Sequence, residues 1–228
     1  AVGFSAGGAV TTGTNNTLVG GLAGDAITEG TYNTALGFTA LGANTTATNN
    51  VAVGAFALGA NTTGEANTAV GLAALDANTT GSSNVAVGRD TLTTDTLGSK
   101  STAVGVGALA NQNFTTATDT ANTAVGFSAG GNLTTGINNT LMGFEAGDAL
   151  TDADFNVAMG RRALYSSTKG NKSVAIGMNA LHNSNHTTAT DTYNVAVGNQ
   201  AGNFHTTGTL NVLIGADAGL DLTTGNKN

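Results

Sequence analysis

Hydrophobic residues in this chain recur with neither the three-to-four spacing of an amphipathic helix nor the alternation of a long strand. They come as three-residue runs, such as Thr68-Ala69-Val70, opened by asparagine and closed by glycine. A β-branched run between Asn and Gly predicts a short strand. The closing glycines are Gly3, Gly20, Gly37, Gly54, Gly71, Gly88, Gly105, Gly126, Gly143, Gly160, Gly177, Gly198 and Gly215. Neighbours lie 17 residues apart, except 105 to 126 and 177 to 198, which are 21 apart. Thirteen anchors therefore cover all 228 residues as one repeat domain.

Other columns lock to these anchors. The residue before each is aliphatic, as at Val53, Val70 and Val87, and the residue at +3 is Ala in every copy but one, which has Thr91. At +4 stands Leu or Gly, and at +8 Thr, replaced only by Asn113 and Asn185 in the two long copies. Four places before the next anchor stands Asn or Ser, as at Asn50, Asn67 and Asn84. Scaffold position thus explains why AVGFSAGG occurs both at 1–8 and at 124–131.

Seventeen residues are too few for two packed helices. The run before Gly37, Gly54 or Gly71 predicts one strand per copy, and the Ala-Leu segment after it a second, weaker strand or a bend. The Thr-Thr-Gly segment predicts a turn, with positive φ at Gly13, Gly64, Gly81, Gly136, Gly208 and Gly225. The fold expected is all-β, a parallel β-solenoid of about thirteen coils. Each strand pairs with its equivalent one coil away, and the Asn column stacks as a side-chain amide ladder. Val70 and Thr68 face one way and Ala69 the other, so the strand is apolar on both sides. Strands of that kind are covered on both sides. One cover is the coil interior; the other is expected to be a second chain, which predicts a homo-oligomer.

Composition narrows the function. Asp and Glu number 14 against 7 Lys and Arg, a net charge of −7, which argues against nucleic acid. With no Cys, disulfides and thiolate metal sites are excluded. No apolar run reaches membrane-spanning length, so membrane insertion is not expected. Ala1 already lies within a repeat, so the chain reads as a piece of a longer chain.

KSVAIG at 172–177, with the recurrent NTAVGxxAxxxG pattern, resembles the YadA-like head of trimeric autotransporter adhesins. That resemblance implies a left-handed β-roll with three chains side by side, although the copies here are longer by an added NTTG turn. The runs NNTLVGGLAGDAIT, TLTTDTLGSKSTAVG and QNFTTATDTANTAVG are similar to long fibre-type proteins of marine, cyanophage-like bacteriophages. This second resemblance implies a homotrimeric rod in a tail fibre or other virion appendage, outside the cell, supporting host attachment. The alternative is an adhesin head on a bacterial outer surface; an ice-binding solenoid is a further alternative, prompted by the Thr column.

Candidate sites are few. The two long copies each insert four residues around TTATDT, at 115–120 and 187–192. Loops that grow from a solenoid often mark its binding face. Phe114, Asp119, His186, Asp191 and Tyr193 are expected to be exposed there, where a host glycan or protein could be contacted. Neutral insertion is the competing reading, and the commoner fate of surface loops. His182 and His186 are four apart, yet the segment is a turn and not a helix, so solvated loop histidines are expected rather than metal ligands. His205 is isolated in sequence. Asp25, Asp76 and Asp148 read as solvent-facing corner residues, and Asp152 and Asp154 lack a calcium-loop frame. No nucleophile, base and orienting group come together, so neither an enzyme nor a cofactor is expected.

Overall fold

A computed structural model describes all residues, 1–228. The chain is a parallel β-solenoid without helices, and it falls into two compact units, Ala1–Thr120 and Ala121–Asn228. In the first unit the three-residue strands β1 (Thr17–Val19), β2 (Thr34–Leu36), β3 (Val51–Val53), β4 (Thr68–Val70), β5 (Val85–Val87) and β7 (Thr102–Val104) pair in that order. The second unit repeats the arrangement with β9 (Thr123–Val125), β10 (Thr140–Met142), β11 (Val157–Met159), β13 (Val174–Ile176), β15 (Val195–Val197) and β16 (Val212–Ile214). Register is fixed at one repeat: Thr68 pairs with Val85 and Ala69 with Ala86. Twelve anchors thus close a strand. The thirteenth, Gly3, follows Val2, which makes a single parallel bridge to Val19.

The strand's central Ala points inward and is fully buried, while its neighbours are half-exposed. The Ala-Leu segment after the anchor is the bend of the two expected forms, built from consecutive turns. Ala57 N donates to Gly54 O (3.3 Å) and Gly59 N to Phe56 O (3.0 Å), with φ of 60° at Phe56 and 50° at Leu58. Positive φ is costly for such residues. Here it lets alternate N–H groups reach opposite ways: Phe56 N to Phe38 O (2.9 Å), Leu58 N to Ala74 O (3.0 Å). This turn is therefore hydrogen-bonded to the coils on both sides.

The glycines of the Thr-Thr-Gly turn correct the sequence reading. None of Gly13, Gly64, Gly81, Gly136, Gly208 and Gly225 has positive φ. That conformation falls two residues later, at Asn49, Ala66, Ser83 and their equivalents. What favours a small residue at Gly64 is close approach, since an added Cβ would lie 2.3 Å from Gly81 O.

The Asn column is an amide-on-amide ladder only in places: Asn139 Nδ2 donates to Asn122 Oδ1 and Asn156 Nδ2 to Asn139 Oδ1, both at 3.2 Å. Its recurrent feature is that each side chain clips two backbones. Asn67 Oδ1 accepts from Asn84 N (2.9 Å), and Asn67 Nδ2 donates to Gly81 O (2.8 Å). The same pair of bonds recurs at Asn33, Asn50, Asn139 and Asn156. Asn fits because it carries one acceptor and two donors on a short stem. The Thr column works similarly: Thr62 Oγ1 donates to Thr79 O (3.0 Å) and Thr79 Oγ1 to Thr96 O (3.1 Å). Those hydroxyl protons are committed to backbone carbonyls.

The core has two packing modes, legible at +4 and +7. Where +4 is Leu, +7 is polar: Leu41 with Asn44, Leu58 with Asn61, Leu92 with Asp95, Leu109 with Gln112, Leu164 with Ser167. Where +4 is Gly, +7 is Val10, Ile27, Leu133, Leu150, Leu222 or, in one coil, His205. Gly-type coils come in adjacent twos, and the strand of the second carries Leu18, Leu141 or Leu213 in place of the inward Ala. That leucine fills the space above both glycines. A Cβ at Gly7 or Gly24 would lie 2.8 Å from the methyls of Leu18, and one at Gly219 would lie 2.7 Å from those of Leu213.

Gly71 has a φ of 140°, and an added Cβ would lie 2.3 Å from Gly88 O. We expect Gly71→Ala to cost at least about 2 kcal/mol in urea denaturation. Gly64→Ala should cost clearly less, because Ala47 and Ala153 already occupy that column. Equal losses would contradict the distinction between the two kinds of glycine.

Candidate functional site

The two inserted segments have the same construction. In the first unit β8 (Thr118–Asp119) pairs with β6 (Gly98–Ser99) of the preceding coil; in the second β14 (Thr190–Asp191) pairs with β12 (Gly170–Asn171). Between coil and extra strand, Thr115, Thr116 and Ala117 are exposed, as are Thr187, Thr188 and Ala189. The two Asn residues that break the Thr column now have a role. Thr168 Oγ1 donates to Asn185 Oδ1 and to His186 O, both at 2.9 Å, and Thr96 does the same with Asn113 and Phe114. Ser101 and Ser173 replace the ladder Asn beside each insertion, and their hydroxyls bond to those of Thr120 and Thr192.

Of the five residues expected on the loop surface, three are there. Asp119 and Asp191 are exposed and paired with Lys100 and Lys172. Tyr193 is exposed, with the Lys172 ammonium 5.1 Å from its ring centroid and 3.2 Å from its hydroxyl. Hydrogen bonding to Lys172 holds the Asp191 carboxyl below its ordinary range and raises Lys172 in turn. Phe114 and His186 are corrections: both are buried. They hold equivalent positions, nine residues after Gly105 and Gly177, and the insertion turns the side chain inward where other coils direct it to solvent.

The histidines do not form a metal pair. His182 lies half-buried and stacks on Tyr165, with ring centroids 5.1 Å apart, while His186 sits inside the coil. His205, isolated in sequence, is also interior and fully buried. Burial lowers the His186 pKa; burial and then the neighbouring His186 lower that of His205 to about 4. The first unit puts a different polar group inside its long coil. There Asp95 accepts from Gln112 Nε2 (2.5 Å), Gly98 N (3.1 Å) and Phe114 N (3.2 Å), yet desolvation still raises its carboxyl. Asp76 and Asp148 are likewise raised, by partial burial at their corners. No group of three or more His, Cys, Asp or Glu is placed to hold a metal ion, and no helix is long and apolar enough to cross a membrane.

Sequence reasoning missed the interior histidines and the +4/+7 exchange. The signal for His205 was its place in a column otherwise filled by aliphatic residues beside glycine. These features define a parallel β-solenoid whose distinctive chemistry is two ion-paired insertions and a polar interior. No family model, curated protein or solved structure matches the chain.

In Lys172→Ala we expect the Asp191 carboxyl to titrate at higher pH than in the unaltered protein, read from its NMR shift. Unfolding stability should barely change, because solvent screens an exposed ion pair. An unmoved Asp191 titration would show that the pair does not persist in solution.

Proposed function

We propose that this chain is a structural segment of a virion tail fibre or similar appendage, self-associated as a homotrimer, that supports attachment to a host surface. The observation that carries the reading is the outward face of the short strands. Val53, Val70 and Val87 are half-exposed, and Leu36, Met142, Met159 and Ile176 in the same column are exposed. Beside them lie the exposed rings of Phe38, Phe127 and Phe144. Apolar surface repeated at coil after coil marks an interface. A second copy of this chain suits it because the column repeats with the chain's own period. Two copies side by side then meet like residues at every coil, as symmetric association requires.

The corner chemistry supports a mechanical role. Asn and Thr side chains that would otherwise be free to bind ligands join one coil's backbone to the next. Host contact would fall on the exposed insertions, around Thr115–Ala117 and Asp119, and around Thr187–Ala189, Asp191 and Tyr193. In a trimer each appears three times, so weak contacts add by avidity.

Light scattering should give three times the 22.2 kDa chain mass. Replacing Val53, Val70 and Val87 together by Asp should lower that mass while the β-type circular dichroism persists. A monomeric unaltered chain would overturn the homotrimer.

A further inference from the structure

His205 occupies a place filled in the other Gly-type coils by Val10, Ile27, Leu133, Leu150 and Leu222. Its protonation state follows from the Asn ladder. Asn211 Oδ1 accepts from Asn228 N (3.1 Å), and Asn211 Nδ2 donates to Gly225 O (2.7 Å), so the amide cannot turn over without losing both. The same Nδ2 faces His205 Nε2 at 3.3 Å. Nε2 must therefore be the acceptor, and the imidazole proton sits on Nδ1, which is buried without a partner among the protein atoms. Protonating the ring would put a second N–H at Nε2, pointing at the N–H of Asn211.

No group nearby is placed to accept that charge. Ser167 Oγ, Ser184 Oγ and His186 Nε2 are also buried and unpartnered. Among ionisable groups on the surrounding coils, Lys169 pairs with Asp152 and Lys172 with Asp191 on the outside. His182 stacks on Tyr165, and Asp217, Asp221 and Lys227 are exposed. The one ionisable group that acts on His205 is His186, whose own protonation would add a like charge.

We propose that His205, with His186, is an acid-operated opening point of the second unit: proton uptake there breaks the Asn211 link and releases the last coils, from about Val195 to Asn228. The direction is fixed by the sign of the effect. A group charged more readily in the open chain than in the closed one contributes stability above its open-chain pKa and loses it as pH falls. For His205 that window runs from about 6.5 down to about 4.

The test is hydrogen exchange at pH 7 and pH 5, corrected for the intrinsic pH dependence of amide exchange. Protection across residues 195–228 should fall about twentyfold from pH 7 to pH 5, the factor a shift from 6.5 to about 4 implies. Protection of β2 to β5 in the first unit should change far less. His205→Leu, which restores the residue of equivalent coils, should remove most of the fall and leave only the part due to His186, and His205→Asn, polar and without a titrating group, should do the same. Protection of 195–228 that is equal at the two pH values, or that falls as much in both variants, would overturn the proposal.

Discussion

The structure depends on one bond pair, in which an asparagine side chain accepts from the backbone N–H one coil away and donates to a backbone carbonyl 14 residues on. Each coil has only three residues of strand, too short a ladder to hold on its own. Buried backbone groups at the corners also need partners that no sheet supplies there. Asn67 and its equivalents meet both needs with one side chain. Registers, turns and the spacing of anchors follow from keeping that column in line. Where Ser takes its place, at Ser101 and Ser173, the inserted residues Thr120 and Thr192 step in alongside.

Interior packing obeys a second constraint, constant volume. A coil with Leu at +4 leaves room at +7 for a small polar group, whereas a coil with Gly there takes an aliphatic residue at +7 and borrows a leucine from the strand. Some polar residues inside the first kind are held by the turn itself, as Asn44 Oδ1 is by Ala47 N (3.1 Å), whereas Ser167 Oγ and Ser184 Oγ have no partner there. His205 departs from both kinds, being polar in an aliphatic place. A local rule broken without a visible gain in stability is where function or conditional behaviour is to be sought.

Much of the fold was legible in the sequence, because strict periodicity turns one copy's ambiguity into a column's certainty. Strand positions, the opposite facing of Ala69 to Thr68 and Val70, and the long copies follow from spacing alone; which of the two faces lies inward does not. Nor does turn geometry. The glycine of Thr-Thr-Gly suggested positive φ there, but the chain places left-handed residues at Tyr32, Lys100 and Phe155, types that local propensity disfavours and inter-coil bonds impose. The inserted residues were half legible. Asp119, Asp191 and Tyr193 lie outside as hydrophilic loop residues should. Phe114 and His186 are inside because the extra four residues reverse the facing of a position that elsewhere meets water, and no single-residue signal carries that reversal.

The twofold grouping of Gly-type coils also bears on how such a chain can lengthen. A single coil of the Leu kind can be copied next to itself without leaving a hole, since each of its layers is self-sufficient. A single Gly-type coil cannot, because its glycine relies on a leucine shared with its neighbour; only a block of two 17-residue coils is volume-neutral. Replication slippage would therefore be tolerated in steps of one repeat in some stretches and of two in others. NNTLVGGLAGDAIT at 15–28 and NNTLMGFEAGDALT at 138–151, identical at ten of fourteen positions, fall at the same place in two such blocks.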